Sequence, residues 1–268
     1  MTYRQLKDLT NRVALVTGAS GGLGEQIAYE LAQRGAIVVA CARRMEQLEN
    51  VVANCQALSG KLAFAYQLDV SNPEQIESVV TKVEAKVGPI DVLVNNAGFG
   101  MMETALDFDM SIAEEMFRVN VLGLMYMTKY TALQMASRQR GAIVNIASMA
   151  GKIATPKASV YSASKFAVLG YSNALRLELK PLGISVLTVN PGPIKTHFFD
   201  RADRSGNYLK SLGSYVLDPQ VVAHKIVKAI GTNKREINLP KSMNVAHHLY
   251  QVFPHIGDHL TGGVFNKK

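Results

Sequence analysis

The chain has 268 residues, 48% hydrophobic and 19% charged, the composition of a globular protein long enough to bury one large α/β core. No run approaches the ~18 consecutive apolar residues of a membrane span, and the first residues lack the apolar stretch of a signal peptide. A formal charge of +8 admits phosphate-bearing ligands, but the cations are scattered and form no nucleic-acid-binding module, so a nucleic-acid partner is not expected.

Cys41 and Cys55 have neither metal nor redox spacing and are expected to be reduced thiols in a cytoplasmic protein. His255 and His259 lie four apart with no carboxylate motif, so no metal site is read there.

In chain order, Arg12–Thr17 is a short apolar strand that runs into Gly18-Ala-Ser20-Gly-Gly22-Leu23-Gly24, then into a helical pattern over Gln26–Arg34 closed by Gly35. Ala36–Ala42 is the next strand and completes a β-α-β unit. Glycines at such a strand-to-helix turn let backbone N–H groups approach a pyrophosphate at the helix N-terminus. The second strand ends in Arg43-Arg44, with Arg43 nineteen residues beyond Gly24. A chain selecting NAD would carry Asp or Glu near this point for the ribose hydroxyl, whereas arginine suits a 2′-phosphate. The expected cofactor is therefore NADP(H) in preference to NAD(H).

The alternation continues. Leu62–Leu68 reads as a strand ending at Asp69-Val70, and Asn72-Pro73 opens a helix that runs to about Val87. Ile90–Val94 reads as a strand ending in Asn95-Asn-Ala97-Gly98. A long helix is expected over about Asp109–Ser137, followed by the strand Ala142–Ala147. A helix from before Tyr161 extends towards Lys180, and Ile184–Val189 leads into Asn190-Pro191-Gly192-Pro-Ile194-Lys-Thr196. Residues from about 192 to 217 lack a clear period and read as an active-site lid. Asp218-Pro219 starts another helix, Arg235–Leu239 is a short last strand, and residues 241–268 read as one amphipathic helix and a tail. That last face could pack on the core, enter an oligomer interface or touch a membrane surface. The fold class is α/β. It is one doubly wound Rossmann-type domain over residues 1–268, with a parallel sheet of about seven strands and helices on both faces.

Tyr161 and Lys165 are four apart, hence on one helix face. Lowering a phenol pKa from about 10 by ~3 units needs about 4 kcal/mol. An ammonium ~4 Å away supplies roughly that at an effective dielectric of ~20. Ser148 follows the Ala142–Ala147 strand, where a parallel sheet places its ligands, and its hydroxyl could hold a carbonyl or alcohol while Tyr161 exchanges a proton. A second copy of the pattern, Tyr3 to Lys7, has no strand before it, so the pattern alone is weak.

These motifs, in this order and spacing, resemble the short-chain dehydrogenase/reductase family over nearly the whole chain. The resemblance implies a cofactor loop at Thr17-Gly18-x-Ser20-x-Gly22-Leu23-Gly24, and adenine contacts at Asp69 and Val70. It further implies a cofactor floor at Asn95, Ala97 and Gly98, and nicotinamide support at Pro191, Gly192, Ile194 and Thr196. Ser148, Tyr161 and Lys165 match the catalytic trio, which in the family also contacts the cofactor through Tyr161 and Lys165. Asn120 matches the residue that anchors a proton relay to the lysine. The implied activity is hydride exchange with a carbonyl or secondary alcohol, by a homodimer or homotetramer. Phe99, Met101, Met149, Ile153, Phe198 and Phe199 are apolar pocket candidates for a hydrophobic substrate. The alternative is a non-catalytic NADP(H)-sensing protein on the same fold.

Overall fold

The computed structural model describes residues 2–203 and 213–264. Seven strands form one sheet: β1 (Val13–Thr17), β2 (Ile37–Ala42), β3 (Phe64–Gln67), β4 (Ile90–Asn95), β5 (Gly141–Ile146), β6 (Ile184–Pro191) and β7 (Glu236–Leu239). Their order is β3-β2-β1-β4-β5-β6-β7, and each pairing is parallel. Strands buried on both faces need near-continuous apolar sequence. β1, with all five residues buried, and β4 show it. Successive side chains go to opposite layers. Ala14 and Val16 join the core that includes Ile27, Leu31, Leu48 and Ile226, whereas Val13 and Leu15 join the one that includes Ile76, Val83, Met127 and Leu175.

The helices that position the site are α1 (Gly22–Gln33), α2 (Met45–Ser59), α3 (Pro73–Lys86), α4 (Met110–Phe117), α5 (Leu124–Ser137), α6 (Ser159–Leu179) and α7 (Phe198–Ala202). Starts follow local chemistry: Asn72 caps α3 by accepting from Gln75 N at 2.9 Å, with Pro73 in the first turn. The strand order reverses between β1 and β4, which opens a crevice at the carboxyl ends of the strands.

Two element readings are corrected. The helix expected over 109–137 is interrupted by a π-helical stretch, Arg118–Gly123, between α4 and α5. A Cβ at Gly123 would sit 2.5 Å from the Val70 carbonyl, so this turn closes tightly on the loop after β3. The C-terminal segment is two helices, Lys241–Val252 and Pro254–Val264. Pro254 has no N–H to continue the first helix and disfavours helical geometry at Phe253, whose φ/ψ is −127°/66°. Of the lid expected over 192–217, residues 198–202 form α7, Ile194 bridges to Leu217, and residues 204–212 lie outside the described residues. The final tail residues 265–268 lie outside them too. Among the described residues no helix is long and apolar enough to cross a membrane.

Candidate active site

At the end of β1 the chain must turn sharply and pass close to β4. Gly18 has φ +65°, and a Cβ there would meet the Ala97 Cα at 2.9 Å. A Cβ at Gly24 would overlap both the Gly18 carbonyl and the Asn96 amide, so only glycine lets α1 begin this close to the sheet. Thr17 Oγ1 accepts from the Asn96 and Ala97 N–H groups at 3.0 and 3.1 Å, while Asn96 Nδ2 donates to the Thr17 and Gly18 carbonyls. The loop is thus tied to the β4 turn. Gly21, which caps α1, contributes no side-chain bond, so the first-turn N–H groups of α1 suit an anion. Arg44 reaches across from the end of β2 and donates to Ser20 Oγ at 3.1 Å. The backbone cradle and the cation together fit the phosphates of a dinucleotide.

The second group gathers where β5 and β6 end. Ser148 caps a short 3-10 turn, Met149–Gly151, accepting from Ala150 N at 3.1 Å and donating to the Pro191 carbonyl at 3.4 Å. Tyr161 and Lys165 occupy one face of α6, with Lys165 Nζ 5.8 Å from the Tyr161 ring centroid. Lys165 is buried and donates to the Ile146 carbonyl at 3.0 Å. Burial lowers its pKa to about 8. Burial also pushes the Tyr161 phenol up to about 12, a rise that a hydrogen bond with Ser148 partly offsets. The expected depression of the tyrosine by the lysine is therefore reversed in this geometry. Desolvation dominates, and the ammonium is held on a strand carbonyl and is itself driven towards neutrality. Tyr161 is kept in its proton-donating form.

Asn120 is buried in the π-helical stretch. Its Oδ1 accepts from Phe99 N at 3.0 Å, and its Nδ2 donates to the Phe99 carbonyl at 2.9 Å and to Ser164 Oγ at 3.2 Å. These bonds fix the Gly98–Phe99 loop against α6. A Cβ at Gly98 would come 2.9 Å from Asn120 Oδ1 and 3.7 Å from Lys165 Nζ, so the loop packs directly on Asn120 and Lys165.

One cavity of about 1160 Å³ joins the two groups. Its wall includes Gly18, Ser20, Gly22, Leu23, Arg43, Arg44, Ala97, Gly98, Ser148, Tyr161 and Lys165, together with Pro191, Gly192, Ile194 and Thr196. Phe99, Met149, Ile153, Phe198 and Phe199 are on it as well, with Phe198 5.8 Å from the Tyr161 ring. Several sequence-read residues are placed elsewhere. Gly24 lies behind the loop, and Met102 rather than Met101 reaches the wall. Asp69 turns to Ser71, and Val70 sits beneath the π turn; neither is on the wall. Asn95 points inward and donates to Thr128 and Asn145, and its neighbour Asn96 is the one at the cavity. Tyr3, in the second copy of the pattern, is buried far from the cavity wall and donates to Asn233 at 2.8 Å.

Sequence reasoning missed two contributions. Arg201 lies 3.8 Å over the Phe99 ring at the cavity and pairs with Glu115 at 3.1 Å. The C-terminal helices supply Met243, Leu249, Tyr250, Phe253, Ile256 and Leu260 to the wall, and their amphipathic spacing was the available signal. Among the described residues no group of His, Cys, Asp and Glu could hold a metal ion.

A parallel sheet with a glycine turn at its switch point, sharing a cavity with a Ser–Tyr–Lys cluster, defines a nucleotide-binding α/β protein of oxidoreductase type. Comparison with known proteins makes the class specific. The family model described as short chain dehydrogenase matches residues 12–205, and the chain belongs to that family. It is 37% identical over 229 residues to the ketoacyl reductase HetN of Nostoc sp., covering 85% of this chain and 78% of that protein. It is 36% identical over 199 residues to the NADPH-dependent 1-acyldihydroxyacetone phosphate reductase of Saccharomyces cerevisiae, covering 74% of this chain and 66% of the relative. Among solved structures, an alcohol dehydrogenase from Thermococcus sibiricus complexed with 5-hydroxy-NADP superposes with a TM-score of 0.77 at 26% identity, covering 85% of this chain and 95% of that one.

Proposed function

We propose that the chain is an NADP(H)-dependent reductase of carbonyl compounds, or in reverse a dehydrogenase of secondary alcohols. The observation that carries this reading is the pair Arg43 and Arg44 at the end of β2, on the same cavity wall as Ser148, Tyr161 and Lys165. An NADPH-dependent relative and a structural neighbour complexed with an NADP derivative support the cofactor assignment.

Gly18 to Leu23 and the α1 N-terminus receive the pyrophosphate, Arg43 and Arg44 the 2′-phosphate, and the segment Pro191–Thr196 the nicotinamide end. When bound, the nicotinamide supplies or accepts the hydride at the substrate carbon. Ser148 hydrogen-bonds the substrate oxygen and orients it. Tyr161, held protonated by its surroundings, gives its proton to that oxygen as negative charge develops. Lys165, with its pKa near 8, is poised to return a proton to Tyr161. Asn120 holds the loop that packs against Lys165. The apolar wall excludes water and selects hydrophobic substrates. Exposed Leu122, Leu133, Phe166 and Leu177 on α5, α6 and the π turn support a dimer or tetramer built on these helices.

The test is a fluorescence titration of the protein with NADPH and separately with NADH. Tighter NADPH binding, weakened at least tenfold by Arg43→Asp, is expected. Tighter NADH binding would overturn the arginine argument, and binding of neither would remove the enzyme reading.

A further inference from the structure

We infer that the substrate is an amphiphile whose carbonyl sits at Ser148 and Tyr161 and whose unbranched apolar tail runs along the two C-terminal helices. This rests on the carbonyl-reductase reading above and names its substrate class.

Four observations carry it. First, Ala246 and Leu249 on the first C-terminal helix, Phe253 at the break, and Ile256 and Leu260 on the second helix all face the catalytic cavity. Second, Leu249, Phe253, Ile256 and Leu260 are each more than half exposed, so among the described residues nothing packs closely over this face. Third, the face is held in place. Met243 packs on Gly192, where a Cβ would meet its Sδ at 2.9 Å. The His247 Nδ1–H donates to the Lys152 carbonyl at 3.1 Å, just beyond Ser148. The second helix is locked to the first by Tyr250 Oη donating to Asp258 at 2.6 Å, with Gly257 against the Tyr250 ring. Fourth, no Lys or Arg from these helices stands on the cavity wall. A membrane-docking face would carry such cations for anionic lipid, whereas a wall continuous with the catalytic group suits a neutral tail. The occupant that fits is therefore the tail of the reacting molecule.

The test uses the full chain and the 2-alkanones from five to eleven carbons. Binding is read by calorimetry and turnover by NADPH consumption. Affinity is expected to rise about fourfold per methylene. Leu249→Ser with Phe253→Ser should flatten that rise to less than twofold per methylene. Val252→Ser, exposed on the same helix but off the cavity wall, should retain it and controls for folding. A flat series in the wild type, or an unchanged slope in the double variant, overturns the inference. So does an unchanged slope together with loss of a dimer in sedimentation or loss of binding to anionic vesicles, which would give the face to a second copy or to a membrane. Length-dependent binding without turnover of any alkanone would uphold the tail channel and overturn the reductase reading. Turnover with no length dependence would do the reverse.

Discussion

Burying the Lys165 ammonium costs the folded chain stability wherever that group is charged. Its folded pKa, about 8, lies below the ordinary 10.5, so the folded state holds the proton less tightly than the unfolded chain. The group's contribution is thus complete above about 10.5 and is lost as pH falls through 8. Lys165→Met removes the penalty of roughly 3 kcal/mol at neutral pH, offset by about 1 kcal/mol for the bond to the Ile146 carbonyl. The variant should be more stable than the wild type by about 2 kcal/mol at pH 7, with the gap closing between pH 8 and 10.5. Denaturant midpoints across that range check it, and equal midpoints at pH 7 would contradict the burial account. Tyr161 carries the opposite sign. Its folded pKa, about 12, exceeds the ordinary 10, so its contribution is complete below 10 and is lost as pH rises through 12. Ser148, Tyr161 and Lys165 were legible as candidates from the order of the motifs and the family resemblance, and not from the Tyr-x-x-x-Lys spacing alone, which Tyr3 to Lys7 repeats. The direction of the tyrosine shift was not, because it depends on how much water the fold removes and on which oxygen the ammonium finds.

Between elements, the glycine turn shows how sequence dictates a site. Gly24→Ala forces a Cβ into the Gly18 carbonyl and Asn96. This overpacking should cost about 1–3 kcal/mol and move the loop off its phosphate geometry. A lower denaturant midpoint together with at least tenfold weaker NADPH binding is expected, and unchanged binding would show that the loop is not the cradle. Asn120→Leu should leave the Phe99 N–H and carbonyl unpaired, at about 1–3 kcal/mol. The same midpoint measurement reads it, and a neutral result would deny Asn120 its bracing role. Most strands were readable because a parallel sheet buried on both faces leaves continuous apolar runs. The π turn was not, since its extra residue is set by Asn120 meeting Phe99 and Gly123 meeting Val70, contacts between distant segments. The break at Phe253-Pro254 was written in the sequence, and reading residues 241–268 as one amphipathic helix and a tail overlooked it. Asn95 and Asn96 illustrate the remaining gap: adjacent residues leave β4 on opposite sides, and only the turn's register decides which meets the cavity.

At the scale of the whole molecule, β1, β2, β5 and β6 deliver their carboxyl ends to one crevice, and the C-terminal helices wall its far side. The strand ends and α6 bring Ser148, Tyr161 and Lys165 into the same cavity as the glycine turn after β1. The two helices beyond β7, Lys241–Val252 and Pro254–Val264, add Met243, Leu249, Ile256 and Leu260 to that cavity's apolar wall. The measurement that tests this account most directly follows deuterium from the 4-deuterated NADPH to the carbinol carbon of a hydrophobic ketone, in the wild type and in Tyr161→Phe, with NADPH affinity measured in parallel. The account predicts transfer by the wild type and at least a thousandfold loss of it in the variant, whose NADPH affinity stays within about twofold. Transfer by Tyr161→Phe within tenfold of the wild-type rate would contradict it, as would a wild-type protein that binds NADPH tightly and transfers nothing.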